Sequence, residues 1–218
     1  MKFHKLLPAF LMFLLFFNVK ITEAQSTDSL QLEKEFTQLD EAFKTPEKVY
    51  RLNLSNQSLQ KFPLGLSKFV NLKYLSLRND HLKELPFEIT ELQNLRILDL
   101  GGNDFKKLPS GFSKLKNLEE LYLDDEKNMN LSNDVELLGK LPNLKILHLE
   151  KDKISKLPKN INLLTHLESL YLSKNNLRFI PPQIKSMTNL KYLELKQNPL
   201  SPNINFNQQQ ESGLKIIF

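Results

Sequence analysis

The 218-residue chain contains no cysteine and no tryptophan, and only 6 glycines. Without cysteine there can be no disulfide framework, no thiolate metal site and no lipidated cysteine, which excludes a bacterial lipoprotein anchor. Histidine is also scarce. His4, His81, His148 and His166 occupy unrelated settings, and no two have the spacing of metal ligands. No glycine-rich phosphate loop and no nucleophile motif is present. Gly101 and Gly102 follow a strand signal, where the backbone needs room rather than a ligand. These absences point away from an enzyme and imply no cofactor.

What is present begins with an exported leader. Residues 1–5 carry two lysines, residues 6–17 are apolar apart from Pro8, and Thr22-Glu23-Ala24 places small residues where a signal peptidase cleaves. Basic, apolar, then small is the order of a secretory signal. The apolar run is shorter than the ~20 residues that cross a bilayer as a helix. The expectation is cleavage after Ala24, no membrane span in the mature chain, and a secreted, periplasmic or cell-surface location. Lys2, Lys5, Lys20 and Glu23 leave with the leader, three cations and one anion, so the net charge of +5 falls to +3. That bias is too small to argue for nucleic acid. With 40% hydrophobic and 25% charged residues the remainder reads as folded.

The strongest signal is internal repetition. Leu72, Leu75 and Leu77 recur 23 positions on as Leu95, Leu98 and Leu100, and the same hexamer starts at Val49, Leu118, Leu144, Leu167 and Leu190. Further along each unit come an apolar residue (Leu59, Leu82, Phe105, Ile154, Leu177, Leu200) and a pair such as Leu85-Pro86 or Leu108-Pro109. A closing apolar pair, such as Ile89 and Leu92, completes the unit. In each hexamer the last two leucines share one face of a strand and the residue between them faces out. Proline then extends its predecessor and steers a return leg. One unit cannot bury its leucines alone, but stacked units can.

The pattern resembles the leucine-rich-repeat family, in the 23-residue class with the Leu-Pro-x-x-Ile signature, over residues 49–200. The resemblance implies an α/β solenoid, a curved right-handed horseshoe segment. Short parallel strands would line the concave face, irregular or 3-10 legs the convex side, and a capping helix over residues 30–44 the N-terminal end. The units run 49–71, 72–94, 95–117, 118–143, 144–166 and 167–189, with 190–200 partial and 201–218 a C-terminal cap or tail. The family places Asn at the ninth position of the unit. Asn103, Asn175 and Asn198 fit, whereas Gln57, Asp80, Glu126 and Asp152 depart from it; a carboxylate only accepts hydrogen bonds, so the ladder should be weaker or rearranged there. Asn71, Asn94, Asn117, Asn143 and Asn189 precede the strands and should bond the backbone. The fourth unit is 26 residues long and lacks its Leu-Pro pair; residues 134–141 read as a short helix with Val135, Leu138 and Leu141 on one side.

The candidate site is the outward row of the strands. It comprises Tyr74, Ile97, Glu120, Tyr122, Ile146, His148, Tyr171 and Tyr192, with Asp124 and Glu150 on the turn side. Tyr122, His148 and Tyr171 fall at one position on consecutive strands. Aromatics ringed by charge are the composition of an interface centre, although tyrosine rows also stabilise sheets on their own. Asp124-Asp125-Glu126 reads as a solvated corner rather than a catalytic pair or a calcium loop. The expected function is a monomeric, non-catalytic module that binds a protein partner on the concave face. The alternatives are a glycan ligand, or an adhesive surface protein contacting host or matrix molecules.

Overall fold

The computed structural model describes residues 34–126, 128–201 and 213–218. The unit Glu35–Phe218 carries the whole of the sheet. The expected leader and residues 25–33 lie outside the described residues.

Nine parallel strands form one sheet in chain order. Seven come from the hexamers: β2 (Arg51–Asn53), β3 (Tyr74–Ser76), β4 (Ile97–Asp99), β5 (Glu120–Tyr122), β6 (Ile146–His148), β7 (Ser169–Tyr171) and β8 (Tyr192–Glu194). The other two, β1 (Glu35–Phe36) and β9 (Lys215–Ile217), lie at the ends and carry no leucine hexamer. The register is uniform: Leu52, Leu75, Leu98, Leu121, Leu147, Leu170 and Leu193 are direct neighbours from strand to strand. All seven are fully buried. A slip of one residue would turn every one of these leucines outward, so burial itself fixes the register.

The return legs follow from the prolines. Short 3-10 turns run over Leu66–Lys68, Phe87–Glu91, Phe112–Lys114, Ile161–Leu163 and Pro182–Ser186. They bury Leu66, Ile89, Phe112, Ile161 and Ile184 against the inner side of the sheet. The solenoid and its 3-10 side are therefore as the repeat pattern requires.

The N-terminal end differs in detail from the sequence expectation. Within residues 34–44 the expected capping helix takes the form of β1 followed by the single turn α1 (Leu39–Ala42). β1 satisfies the open edge of β2 through Glu35↔Arg51 and Phe36↔Leu52, which a helix laid across the end could not do. At the far end β9 pairs with β8, so its edge is also covered by chain. In the fourth unit the helix is α2 (Leu131–Leu138), beginning three residues earlier than expected. The side chain of Asn130 accepts from the Ser132 amide (3.2 Å) and sets that start. Val135, Leu138 and Leu141 are buried as expected. Asp134 is buried too, its Oδ1 accepting from the Leu108 amide at 3.1 Å.

Candidate functional site

The outward side of the sheet is ordered from the strand alternation upward. On each strand the central leucine points in and its two neighbours point out. The register lines up Tyr74, Ile97, Glu120 and Ile146 in one row, and Tyr122, His148 and Tyr171 in the next. Three rings then stack. Tyr122 and His148 lie with centroids 3.9 Å apart and planes 9° from parallel, and His148 and Tyr171 follow at 4.3 Å and 8°. Tyr192, from the other row, meets Tyr171 at 5.3 Å with a 44° tilt. Each ring is partly buried, and the His148 side chain between its neighbours keeps only 12% exposure.

Carboxylates hold the stack from both sides. Glu120 Oε1 accepts from the Tyr122 hydroxyl (2.7 Å) and lies 3.1 Å from His148 Nε2, while Glu150 Oε1 lies 3.5 Å from Nδ1. Burial of the imidazole opposes its charge, but Glu120 and Glu150 outweigh that and push His148 up to about 9. The ring is therefore an imidazolium at neutral pH, a cation between two tyrosine faces. Burial works against ionisation of Glu120, but the His148 and Tyr122 bonds hold it below the usual range. Burial and the Glu120 carboxylate both raise Tyr122, which stays a phenol.

Arg78 builds a second arrangement that the sequence reading missed. Its Nε donates to Asp99 Oδ2 (2.8 Å), and Nη1 and Nη2 donate to the two oxygens of Asp124 (2.8 and 2.6 Å). It reaches across the intervening unit because that unit has Gly101 in its path. A Cβ on Gly101 would stand 2.6 Å from an Arg78 nitrogen. The neighbouring Gly102 has φ +70°, and a Cβ there would collide with Asn79 Oδ1. The signal was available: a cation and an anion two units apart on the turn-side row with a glycine between them. Gly101→Ala is expected to push Arg78 aside and to lower stability by about 1 kcal/mol, the value of a half-exposed bidentate pair. Unfolding of Gly101→Ala, Arg78→Ala and the double variant checks this. The two single losses should fail to add.

The expected site residues thus divide. Glu120, Tyr122, His148, Glu150, Tyr171 and Tyr192 come together, with Ile97 and Ile146 in register on either side of Glu120. Tyr74 stands apart under Arg51, whose guanidinium sits 4.3 Å from its ring centre and 2.7 Å from Glu35. Asp124 faces Arg78 rather than the stack. The reading of Asp124-Asp125-Glu126 as a solvated corner needs correction. Glu126 is only 2% exposed and turns inward, accepting from the amides of Asn103 (2.8 Å) and Phe105 (3.0 Å). It does so because it occupies the ninth position of its unit, where the side chain belongs to the backbone ladder. Among the described residues no helix is long and apolar enough to cross a membrane.

Comparison with known proteins agrees with this architecture. The family model for the leucine-rich repeat region matches residues 48–133, and the leucine rich repeat model matches residues 138–200. No curated protein matches the chain. Among solved structures, a leucine-rich-repeat protein of Leptospira interrogans is similar at 27% identity with a TM-score of 0.60. The likeness covers 85% of this chain and 58% of that one. A chain of the Drosophila Toll–Spatzle complex is similar in fold at 24% identity and a TM-score of 0.60, over 70% of this chain and 21% of its own. This chain therefore spans a little over half of the first relative and about a fifth of the second.

Proposed function

This chain belongs to the leucine-rich-repeat family, and from that membership we propose that it is an exported, non-catalytic module. It binds a protein partner on the outward, concave face of its strands. The stack of Tyr122, His148 and Tyr171 carries the reading. It is a half-buried aromatic surface, backed by a rigid sheet and ringed by Glu120, Glu150 and the Arg78 cluster. Rings already held in place lose little freedom when a partner covers them, and aromatic anchors with a charged rim contribute most at interface centres.

Export rests on the leader-like order of residues 1–24, basic then apolar then small, with an apolar run too short to span a bilayer. The non-catalytic reading rests on how the titratable groups of the face are used. Glu120, His148 and Tyr122 bond one another, and Asp99 and Asp124 are taken up by Arg78, so most of these groups are held by contacts within the face.

The test is replacement of Tyr122, His148 and Tyr171 by Ala together, followed by pull-down and affinity measurement with the exported chain. Partners retained by the wild type should be lost or weakened by about a hundredfold or more, with the unfolded fraction at the assay temperature unchanged. A sharp fall in melting temperature alongside unaltered partner binding would show that the row only stabilises the sheet.

A further inference from the structure

We propose that the partner presents a lysine or arginine side chain to the patch between Tyr171 and Glu150. This rests on the reading of the outward sheet face as the contact surface.

The charges of that face decide the sign. At its centre Arg78 and His148 are the cations, and Asp99, Glu120, Asp124 and Glu150 the anions. Arg78 is paired with two aspartates: both Asp124 oxygens accept from it, and Asp99 gives it one oxygen and the other to the Gly101 amide (3.1 Å). Two carboxylates, Glu120 and Glu150, then share the single imidazolium of His148. Glu120 Oε1 is already used twice, by Tyr122 and His148. Glu150 holds His148 only at 3.5 Å, and its side chain keeps 24% exposure, so a partner that covers the patch meets it. A partner that covered this patch with apolar or acidic groups would bury that carboxylate uncompensated, which is costly. Four carboxylates face two cations at the centre, and a guanidinium or ammonium offsets that excess.

The ring geometry agrees with a cation. Tyr171 and Tyr192 open at 44°, unlike the parallel faces of the preceding rings, and Tyr192 is tied down by its hydroxyl bond to Glu194 (2.9 Å). The Tyr171 hydroxyl has no hydrogen-bond partner among the described residues. A tilted pair of tyrosine faces beside a carboxylate suits a basic side chain through cation–π attraction. The surrounding cations do not contradict this. Arg96 is paired with Glu119 at 2.7 Å, Lys191 with Glu168 at 2.6 Å, and Lys196 lies 3.4 Å from Glu194. At physiological salt the screening length is only about 8 Å, so the local charges outweigh the chain's overall +5 at this patch.

The experiment measures fluorescence anisotropy of a lysine- and arginine-rich peptide and of a glutamate-rich peptide of equal length on the exported chain. It compares wild type, Glu150→Gln and the Tyr122, His148, Tyr171 triple Ala variant, with melting temperatures recorded for each. The expected result is preference for the basic peptide, a loss of about tenfold on Glu150→Gln, and weakening as salt rises. Preference for the glutamate-rich peptide, abolished by the triple variant, overturns the basic partner while leaving the face as contact surface. Basic-peptide affinity unchanged in both variants overturns the basic-side-chain assignment and the face reading together. Absence of any preference between the peptides overturns the assignment alone.

Discussion

Replacing Asn103 by Ala should lower the unfolding free energy by about 3 kcal/mol or more, although the side chain is small and touches no ligand. Asn103 is 3% exposed and satisfies four backbone groups. Its Oδ1 accepts from the amides of Asp80 (3.1 Å) and Leu82 (3.0 Å), and its Nδ2 donates to the carbonyls of Leu77 (2.8 Å) and Leu100 (2.6 Å). Alanine leaves all four without that partner inside the stack, and each buried orphan costs about 1–3 kcal/mol when water cannot reach it. Relaxation and water entry recover part of the loss, which sets the magnitude. Asn117→Ala is the control. That residue donates one bond, to the Gln93 carbonyl at 2.9 Å, from an exposed position, so its loss should stay below about 1 kcal/mol. Urea unfolding of both variants makes the comparison, and equal losses in the two would remove the buried ladder as a source of stability.

Asp152→Asn should act in the opposite direction and stabilise the chain, most of all above about pH 8. Glu126 and Asp152 occupy successive rungs where Asn is the family's residue, and Asp152 Oδ1 accepts from the Glu126 amide at 2.7 Å. Burial is the main force on both carboxyls, only partly offset by their backbone bonds, and Asp152 and Glu126 each reach about 8. Unfolded, both groups titrate near about 4. The folded state thus binds more protons than the unfolded state between those limits. This contribution is fully present below about pH 4 and is lost as pH rises through about 8, so stability should decline across that window and then level off. A drop of at least about 3 kcal/mol is expected: each shift spans roughly four units at about 1.4 kcal/mol per unit, and coupling between the two groups lowers the sum. Asn at 152 keeps the acceptor, removes a charge facing Glu126 and adds a donor of the kind Asn175 uses toward the Leu149 (2.7 Å) and Leu172 (3.0 Å) carbonyls. Thermal unfolding between about pH 5 and about pH 9 should show a shallower slope for Asp152→Asn. A flat wild-type profile, or a variant less stable at high pH, would refute protonation of these rungs.

These two variants show how the ladder works. Asn can accept two amides and donate to two carbonyls, whereas a carboxylate supplies acceptors only. The expectation of a rearranged ladder at the acidic positions is met by geometry. Glu126 uses its extra methylene to give one oxygen to each of two amides. Asp80 accepts from the Gln57 amide at 2.7 Å and leaves its second oxygen buried without a partner. The exposed asparagines before the strands behave alike across units. Asn94, Asn117, Asn143 and Asn189 each donate to a carbonyl of the preceding unit at 2.7–2.9 Å, and Asn71 donates to the Glu47 carbonyl ahead of the first unit at 2.8 Å.

The leucine hexamers by themselves determined the strands, their order and their register, because a residue repeated every 23 positions can be hidden from water only by its own copies next door. They also determined that Tyr122, His148 and Tyr171 share one row, since alternation along a strand fixes the side and the repeat fixes the height. The ends were decided by the tertiary structure: neither β1 nor β9 carries the hexamer, and each forms because an unpaired strand edge offers it hydrogen bonds. The partners of the charged side chains were likewise decided in three dimensions. Arg78 reaches Asp124 only because Gly101 leaves the space open, and Glu126 turns inward because its place in the unit faces two amides. Repetition is a property of local sequence and survives being read in one dimension. The reach of a long side chain over its neighbours depends on which atoms are missing beneath it.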